Sequence, residues 1–263
     1  MTVLPLSCYI RTLNEEARLP RILERCRLLS DDIVVVDSGS VDKTCVISEQ
    51  FGARVFKQEW LGNGFQKRCG EELCLNDWVL DLDADELLSD ELIKNIREIF
   101  DQMPGAQTIF GLRLITVPPY GAIWNNFAID TRYKLYNKHH HRMPESRSWD
   151  QLTPTKDTKK ITLPGPLYHY SFSGVAQMSD KWNKVSTRRL DDGKLKPLWL
   201  IRMRIVFAFP IYFIKNYVQK GLWRAGLYGF CISCIGAHGR WLRDVKSYER
   251  HMEQMGKKNK GLS

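Results

Sequence analysis

Blocks of apolar residues alternate with polar turns through the first hundred positions of the chain. Residues 4–10 form a short apolar run that ends at Arg11-Thr12-Leu13-Asn14-Glu15-Glu16. A helix is predicted from Ala17 to Leu29. The next block, Asp32-Ile33-Val34-Val35-Val36-Asp37, is β-branched and apolar at consecutive positions, as in a parallel strand buried on both faces. Ser38-Gly39-Ser40 supplies a turn and a helix N-cap. The helix that follows runs to Phe51, Gly52 ends it, and residues 53–56 read as a third strand. Strand, helix, strand, helix, strand in this order predicts an α/β fold with a doubly wound, Rossmann-like sheet. A Gly-containing loop (residues 61–64) leads to a helix from Phe65 to Leu75. A fourth strand starts at Trp78 and ends in the acids of Asp81-Leu82-Asp83-Ala84-Asp85-Glu86. Residues 90–102 read as a helix. Residues 109–117 and 132–137 alternate like strands of a mixed or antiparallel region. Residues 144–160 read as a polar loop, 176–191 as a helix, and 197–255 as two or three amphipathic helices.

Composition changes this picture mainly at the C-terminal end. The 263 residues, 43% of them hydrophobic, have room for one large α/β domain and a smaller appendage. They also exclude a disordered chain. The net charge of +9 is unevenly spread. Residues 1–180 carry 21 Lys and Arg against 25 Asp and Glu, whereas residues 181–263 carry 18 against 5. The basic residues of that last third are interleaved with apolar blocks such as Ile205–Ile214. This mixture predicts an anionic membrane surface as partner, not nucleic acid. Trp199, Phe207, Phe209, Tyr212, Phe213, Trp223 and Tyr228 lie among Arg202, Arg204, Lys215, Lys220 and Arg224, and aromatic with basic side chains suits a membrane interface. No uncharged run reaches the roughly 18–20 residues that span a bilayer, so peripheral attachment is expected. Seven cysteines, an odd number, and an N-terminus that reads as a strand instead of an export signal predict a cytoplasmic location.

The acid run carries the strongest chemical signal. Alternation places Asp81, Asp83 and Asp85 on one face of an extended segment. Clustered carboxylates repel one another and call for a neutralising cation, and oxygen ligands suit Mg²⁺ or Mn²⁺. Their position at a strand's carboxyl end is where open α/β sheets bind ligands. Asp37, at the end of the second strand, can accept hydrogen bonds from a base or ribose; the other reading of this stretch is a plain strand, turn and N-cap, with Ser40 or Asp42 capping the helix. His139-His140-His141 reads as an exposed basic turn, since adjacent side chains diverge on a strand.

In order along the chain, IRTLNEE (residues 10–16), IVVVDSGSVDKT (33–44), ARVFKQEWLGNGFQKR (53–68) and WVLDLDADE (78–86) resemble the family 2 glycosyltransferases of GT-A fold. TRYKLYNK (131–138) and LYHYSFSG (167–174) extend the resemblance to bacterial lipopolysaccharide and lipooligosaccharide core glycosyltransferases, of the type that modifies heptose with β-1,4-linked glucose. The resemblance implies a GT-A catalytic domain over residues 1–175 and a helical, membrane-associating region over 176–263. It implies an inverting transfer of a hexose, glucose from UDP-glucose, to an inner-core heptose of a lipid A-linked oligosaccharide. The enzyme would work peripherally, on the cytoplasmic face of a bacterial inner membrane. Thr12, Asn14 and Glu15 would line the nucleotide pocket, with Asp37 near the uracil and Lys67 near the nucleotide. Asp83 and Asp85 match the DxD motif, Asp85 as the direct Mg²⁺ or Mn²⁺ ligand, with His169 at the diphosphate or the metal. Arg11 departs from the family, which often has proline there. An inverting transfer needs a carboxylate base. The resemblance implies Asp150 as the base, since its distance to residues 167–171 resembles the subfamily's spacing, and Glu145 is the alternative. Two other readings use the same residues: a glycosyltransferase acting on a polyprenyl-linked or capsule saccharide, and a non-catalytic membrane-surface scaffold.

Overall fold

The computed structural model describes residues 3–119, 123, 128–147, 149–171, 173–191 and 195–256. The chain divides into two compact units, Met1–Ser171 and Phe172–Ser263.

In the first unit the apolar run before Arg11 becomes β1 (Leu6–Thr12), followed by α1 (Leu19–Arg27), β2 (Asp32–Asp37), α2 (Thr44–Gln50), β3 (Arg54–Lys57), α3 (Asn63–Leu73) and β4 (Trp78–Asp83). Then come β5 (Glu86–Leu88), α4 (Asp90–Asp101), β6 (Thr108–Thr116), β7 (Ala128–Asn137) and β8 (Lys159–His169). The eight strands form one sheet in the order β3-β2-β1-β4-β7-β6-β8-β5. The β1, β2, β3 and β4 pairings are parallel, as the strand–helix alternation predicts, while β7 runs antiparallel to both β4 and β6.

Period-two alternation sorts the strands onto two cores. Leu6, Cys8 and Ile10, with Ile33, Val35, Leu80 and Leu82, pack in one core with Leu19, Leu23 and Ile96 of α1 and α4. Tyr9, Val34, Val36, Val79 and Tyr136 point the other way and meet Cys69 and Leu73 of α3. Helix α4 starts where the sequence says it should: the Ser89 hydroxyl accepts from the Leu92 N–H at 3.1 Å, with Asp90 and Glu91 in the first turn.

The link between β4 and β5 shapes the sheet. Only Ala84 and Asp85 join them, a span of at most about 11 Å. The two strands stand four places apart in the sheet, about 19 Å if it were flat. The sheet therefore curls, bringing the β5 edge round to the carboxyl end of β4. Strand β8 makes this possible, pairing parallel with β6 and antiparallel with β5. It was not apparent as a strand because Pro164-Gly165-Pro166 reads as a break. The register shift opposite Gly111–Arg113 absorbs that segment, and Gly165 takes φ +89° where a Cβ would stand 2.5 Å from the backbone nitrogen of Leu92.

The second unit is helical: α5 (Val175–Asp191), α6 (Leu198–Ile214) and α7 (Gly226–Gln254), with a π-helical turn over Lys215–Gln219 and a 3-10 turn over Leu222–Ala225. Small residues let α7 pack closely. Gly239 lies against the Trp182 indole, and a Cβ on Gly229 would stand 1.9 Å from the Leu222 carbonyl oxygen. Arg204 pairs with the buried Asp244 at 2.9 Å. Helix α6 carries apolar residues on every side, not along one stripe, with Arg202 and Arg204 confined to its first half: of its 17 residues only Ile201 and Ala208 are buried. Trp199, Met203, Val206, Phe207, Phe209, Ile211 and Ile214 are exposed. Among the described residues, no helix is long and apolar enough to cross a membrane.

Candidate active site

The alternation that sorts the cores also builds the site. On the α3 side of the sheet, the residues beyond Tyr9 on β1 and Val79 on β4 are Arg11, Asp81 and Asp83. Register pairs Arg11 directly with Asp83. The Arg11 Nε donates to Asp83 Oδ1 at 2.6 Å and its Nη2 to Asp150 Oδ2 at 3.1 Å. Lys67, one turn into α3, reaches down to Asp81 Oδ2 at 2.7 Å and lies 3.7 Å from Asp83 and 3.9 Å from Asp150. Lys134, on β7, meets Glu86 at 2.8 Å, Asp81 at 3.3 Å and Asp83 at 3.9 Å. Lys67, Asp81, Asp83, Glu86, Lys134 and Asp150, with Leu114, Arg132, Tyr133, Gln151 and His169, line one cavity; Arg11 stands behind its Asp83 and Asp150 wall.

The cations that neutralise Asp81 and Asp83 thus come from the protein itself. Burial pushes the Asp83 carboxyl up, but Arg11, Lys67 and Lys134 outweigh it and hold it well below the usual range. Burial opposes the charge of Lys134, and Asp81, Glu86 and Asp83 more than compensate, raising its pKa. Glu86 goes the other way: burial raises it and Lys134 only partly offsets this. Asp81 Oδ1 is buried with no hydrogen-bond partner among the described residues and belongs to a cavity-lining residue.

The expected common face of three acids holds for Asp81 and Asp83. The strand ends at Asp83, and the two-residue turn carries Asp85 elsewhere, to 3.3 Å from His169 Nε2. Burial lowers the His169 pKa, but the hydrogen bond and charge of Asp85 outweigh it and raise it. Among the described residues no three His, Cys, Asp or Glu side chains gather into a preformed metal cage. A carboxylate beside an imidazole fits a divalent ion that takes its remaining ligands from a diphosphate and water, as Mg²⁺ and Mn²⁺ do.

The loops after β1 and β2 are laced together. The Asn14 N–H donates to Ser40 Oγ at 2.8 Å, the Val41 N–H to Asn14 Oδ1 at 2.9 Å, and the Glu15 N–H to Thr44 Oγ1 at 2.8 Å. Asn14 takes φ +55° to do so. Asp37 accepts from the Gly39 N–H at 2.9 Å, the Ser40 N–H at 2.8 Å, the Thr12 hydroxyl at 3.1 Å and the Ser40 hydroxyl. Burial raises its pKa, and these bonds more than reverse that. Asp37 thus fixes the turn that follows β2. Glu15 pairs with Arg18 at 3.2 Å. Its pKa is raised, by burial first and by the nearby charge of Asp85, against the pull of Arg18.

Of the expected site residues, the structure brings Lys67, Asp83, Asp150 and His169 to one cavity, with Asp85 on His169. Thr12, Asn14, Glu15 and Asp37 belong to the adjoining loops. Glu145 is exposed and lines none of this cavity. Sequence reasoning missed Arg11 and Lys134 as the site's cations. The signal for Lys134 was a lysine at an inward position of β7, between Tyr133 and Leu135.

Residues 7–170 match the model of glycosyl transferase family 2. An uncharacterized glycosyltransferase of Rickettsia bellii is 34% identical, covering 94% of this chain and 87% of its own. The lipopolysaccharide core biosynthesis glycosyltransferase LpsC of Rhizobium meliloti is 31% identical, over 94% of this chain and 93% of its own. Among solved structures, S. aureus TarS 1–349 in complex with UDP-GlcNAc superposes with a TM-score of 0.51 at 15% identity, over 95% of this chain and 92% of that one. The fold and its curled mixed sheet are those of the GT-A glycosyltransferases. Within that class, the chain belongs to glycosyl transferase family 2.

Proposed function

We propose that the chain is an inverting glycosyltransferase that moves a hexose, glucose from UDP-glucose, onto an inner-core heptose of lipopolysaccharide or lipooligosaccharide. The observation that carries this reading is the shared guanidinium of Arg11, which holds Asp150 and the first acid of the DxD motif at one cavity. Asp150 takes the proton of the acceptor hydroxyl. The oxygen attacks the anomeric carbon from the face opposite the leaving group, and the bond from that carbon to the UDP β-phosphate oxygen breaks. Arg11 fixes the orientation of Asp150, and Asp81 Oδ1 is placed to accept a hydrogen bond from a sugar hydroxyl. Thr12, Asn14 and Glu15 hold the nucleotide, with Asp37 near the uracil and Lys67 near the nucleotide, in loops that Asp37 also keeps in shape. Asp85 with His169, and Asp83 beside them, would hold Mg²⁺ or Mn²⁺, which when bound neutralises charge on the departing UDP. The name of the Rhizobium relative supports the acceptor class, and the UDP-GlcNAc of the TarS complex supports a UDP-sugar donor.

The second unit supports a peripheral place at an anionic membrane surface. A helix apolar all round is ordinarily buried. Helix α6 instead exposes Val206, Phe207 and Ile211, while Lys215, Lys220 and Arg224 follow it, also exposed. Lipid covers such a helix, and the basic residues meet the head groups. A lipid A-linked acceptor resides on such a surface.

The test is UDP release from a panel of UDP-sugars, with delipidated core oligosaccharide, with and without Mn²⁺ or Mg²⁺. Acceptor- and metal-dependent release from UDP-glucose is expected, lost in Asp85→Ala and lowered about 1,000-fold, to a residual rate, in Asp150→Asn. Release that ignores the metal, or full activity of Asp150→Asn, would sink the assigned roles. Metal-dependent UDP binding without any transfer would redirect the search to a polyprenyl-linked or capsule acceptor. No UDP binding at all would favour the scaffold.

A further inference from the structure

Helix α3 presents Gly64, Lys67 and Glu71 at spacings of three and four residues, one above another on a single face. Residues 143–147 and 149–150 lie along this face and are tied to it near both its ends. At the helix start no side chain caps the free N–H groups. The segment's own carbonyls do so: the Asn63 N–H donates to Arg147 O at 2.9 Å and the Gly64 N–H to Ser146 O at 3.0 Å. The approach is close enough to require glycine. A Cβ on Gly64 would stand 2.4 Å from the Pro144 carbonyl oxygen and 2.5 Å from that of Trp149. Both are backbone atoms, which cannot swing aside. Two turns on, buried Glu71 accepts from the Met143 N–H at 2.8 Å and from the Tyr136 hydroxyl at 2.7 Å. Between these anchors, Lys67 stands 3.9 Å from Asp150.

We infer that this face of α3 sets the position of Asp150 and that Gly64 and Glu71 are positioning residues for the transfer, acting through that carboxylate. The inference rests on the reading of Asp150 as the base. Trp149, whose carbonyl presses on Gly64, is the residue next to it. A side chain at position 64 must lift that carbonyl and draw Asp150 away from the Arg11 guanidinium. Misplacing a reacting group by about 1 Å costs on the order of 100-fold in rate.

The test is a double-mutant cycle, read as UDP release from UDP-glucose with delipidated core oligosaccharide and Mn²⁺. Gly64→Ala is expected to lower kcat about 100-fold in the native chain but less than about 2-fold in an Asp150→Asn background, since a residue acting through another has nothing left to act on. The affinity for UDP and the acceptor KM stay within about 2-fold, because neither contact runs through Gly64. Should Gly64→Ala fail to fold, Glu71→Leu enters the same cycle. Glu71→Gln, which keeps an acceptor for the Met143 N–H, then restores kcat. Equal fold-losses in both backgrounds, or a loss carried by KM or UDP affinity instead of kcat, would overturn the inference and leave the base assignment standing. Full activity of Asp150→Asn alone would overturn the base assignment and the inference with it.

Discussion

Removing Lys134 should cost this protein more stability than any other single change at the site. Its amino group is the principal partner of Glu86, at 2.8 Å, and shares Asp81 with Lys67. The side chains of Lys134 and Glu86 are 4% and 1% exposed, so bulk water replaces the lost partner poorly. Lys134→Met keeps most of the stem's bulk and deletes the charge. Among the described residues, the hydrogen bond that Glu86 then retains is from the Asp83 N–H, at 2.9 Å. Breaking a buried ion pair from one side costs about 3–5 kcal/mol, a large share of the 5–15 kcal/mol that ordinarily holds a domain. The assay is urea denaturation of the metal-free protein at pH 7, with Glu86→Gln added as a second step. The amide that Glu86→Gln introduces still accepts from the Asp83 N–H and carries no charge, so the double variant should recover at least half of the loss. A single-variant loss below about 1 kcal/mol would refute the reasoning. So would a double variant that is less stable than the single one, since it would mean that packing and not charge sets the cost.

Two further outcomes follow from the same structure. Asp37→Asn offers an amide to donors that now meet two carboxylate oxygens, and should cost about 2–3 kcal/mol at pH 7. The folded-state pKa of Asp37 is depressed, so its contribution is fully present above its unfolded value of about 4 and is lost as the pH falls through the lower folded value. The gap between native and variant chains in urea midpoint should therefore narrow below about pH 4; a gap independent of pH would contradict the assignment. Phe207→Glu on α6 removes an exposed apolar group worth about 2 kcal/mol on burial. It should weaken sedimentation with phosphatidylglycerol vesicles at least 10-fold while UDP affinity is unchanged; equal binding by both chains would argue against α6 as the contact.

What the sequence made legible was local. The five-element opening, the buried β2 strand and the acid-tipped β4 follow from periodicity, and the period of two predicts that Asp81 and Asp83 share a face. What it hid was pairing between distant segments. Arg11 looked like a departure at a loop, because nothing near it in sequence says that register sets it opposite Asp83. Lys134 sits in a strand whose antiparallel place beside β4 is set by pairing with a segment some fifty positions away, which no local pattern shows. Asp85 was grouped with its neighbours because a strand was expected to continue where a two-residue turn intervenes. The run 159–169 was obscured by Pro164 and Pro166, whose cost as a strand is met by a bulge and by Gly165. Helix α6 was expected to have a polar face. Its basic residues cluster after the helix more than along it, so the charge count of the segment concealed an apolar rod.

The two-residue step between β4 and β5 also dictates when the site can exist. Glu86 finds its strand partner in His169, 83 positions further along the chain. Until β8 has been made and slipped between β6 and β5, the short β5 edge has nothing to pair with, and Asp85 lacks the imidazole it faces in the finished molecule. A chain emerging from the ribosome can assemble the parallel β1–β4 layer early, but the reactive centre waits for nearly the last residue of its unit. Contacts of such long range are slow to form and leave a sticky strand edge open meanwhile. Truncation anywhere before residue 169 should therefore yield not a weakened enzyme but an aggregation-prone half-sheet with no centre at all.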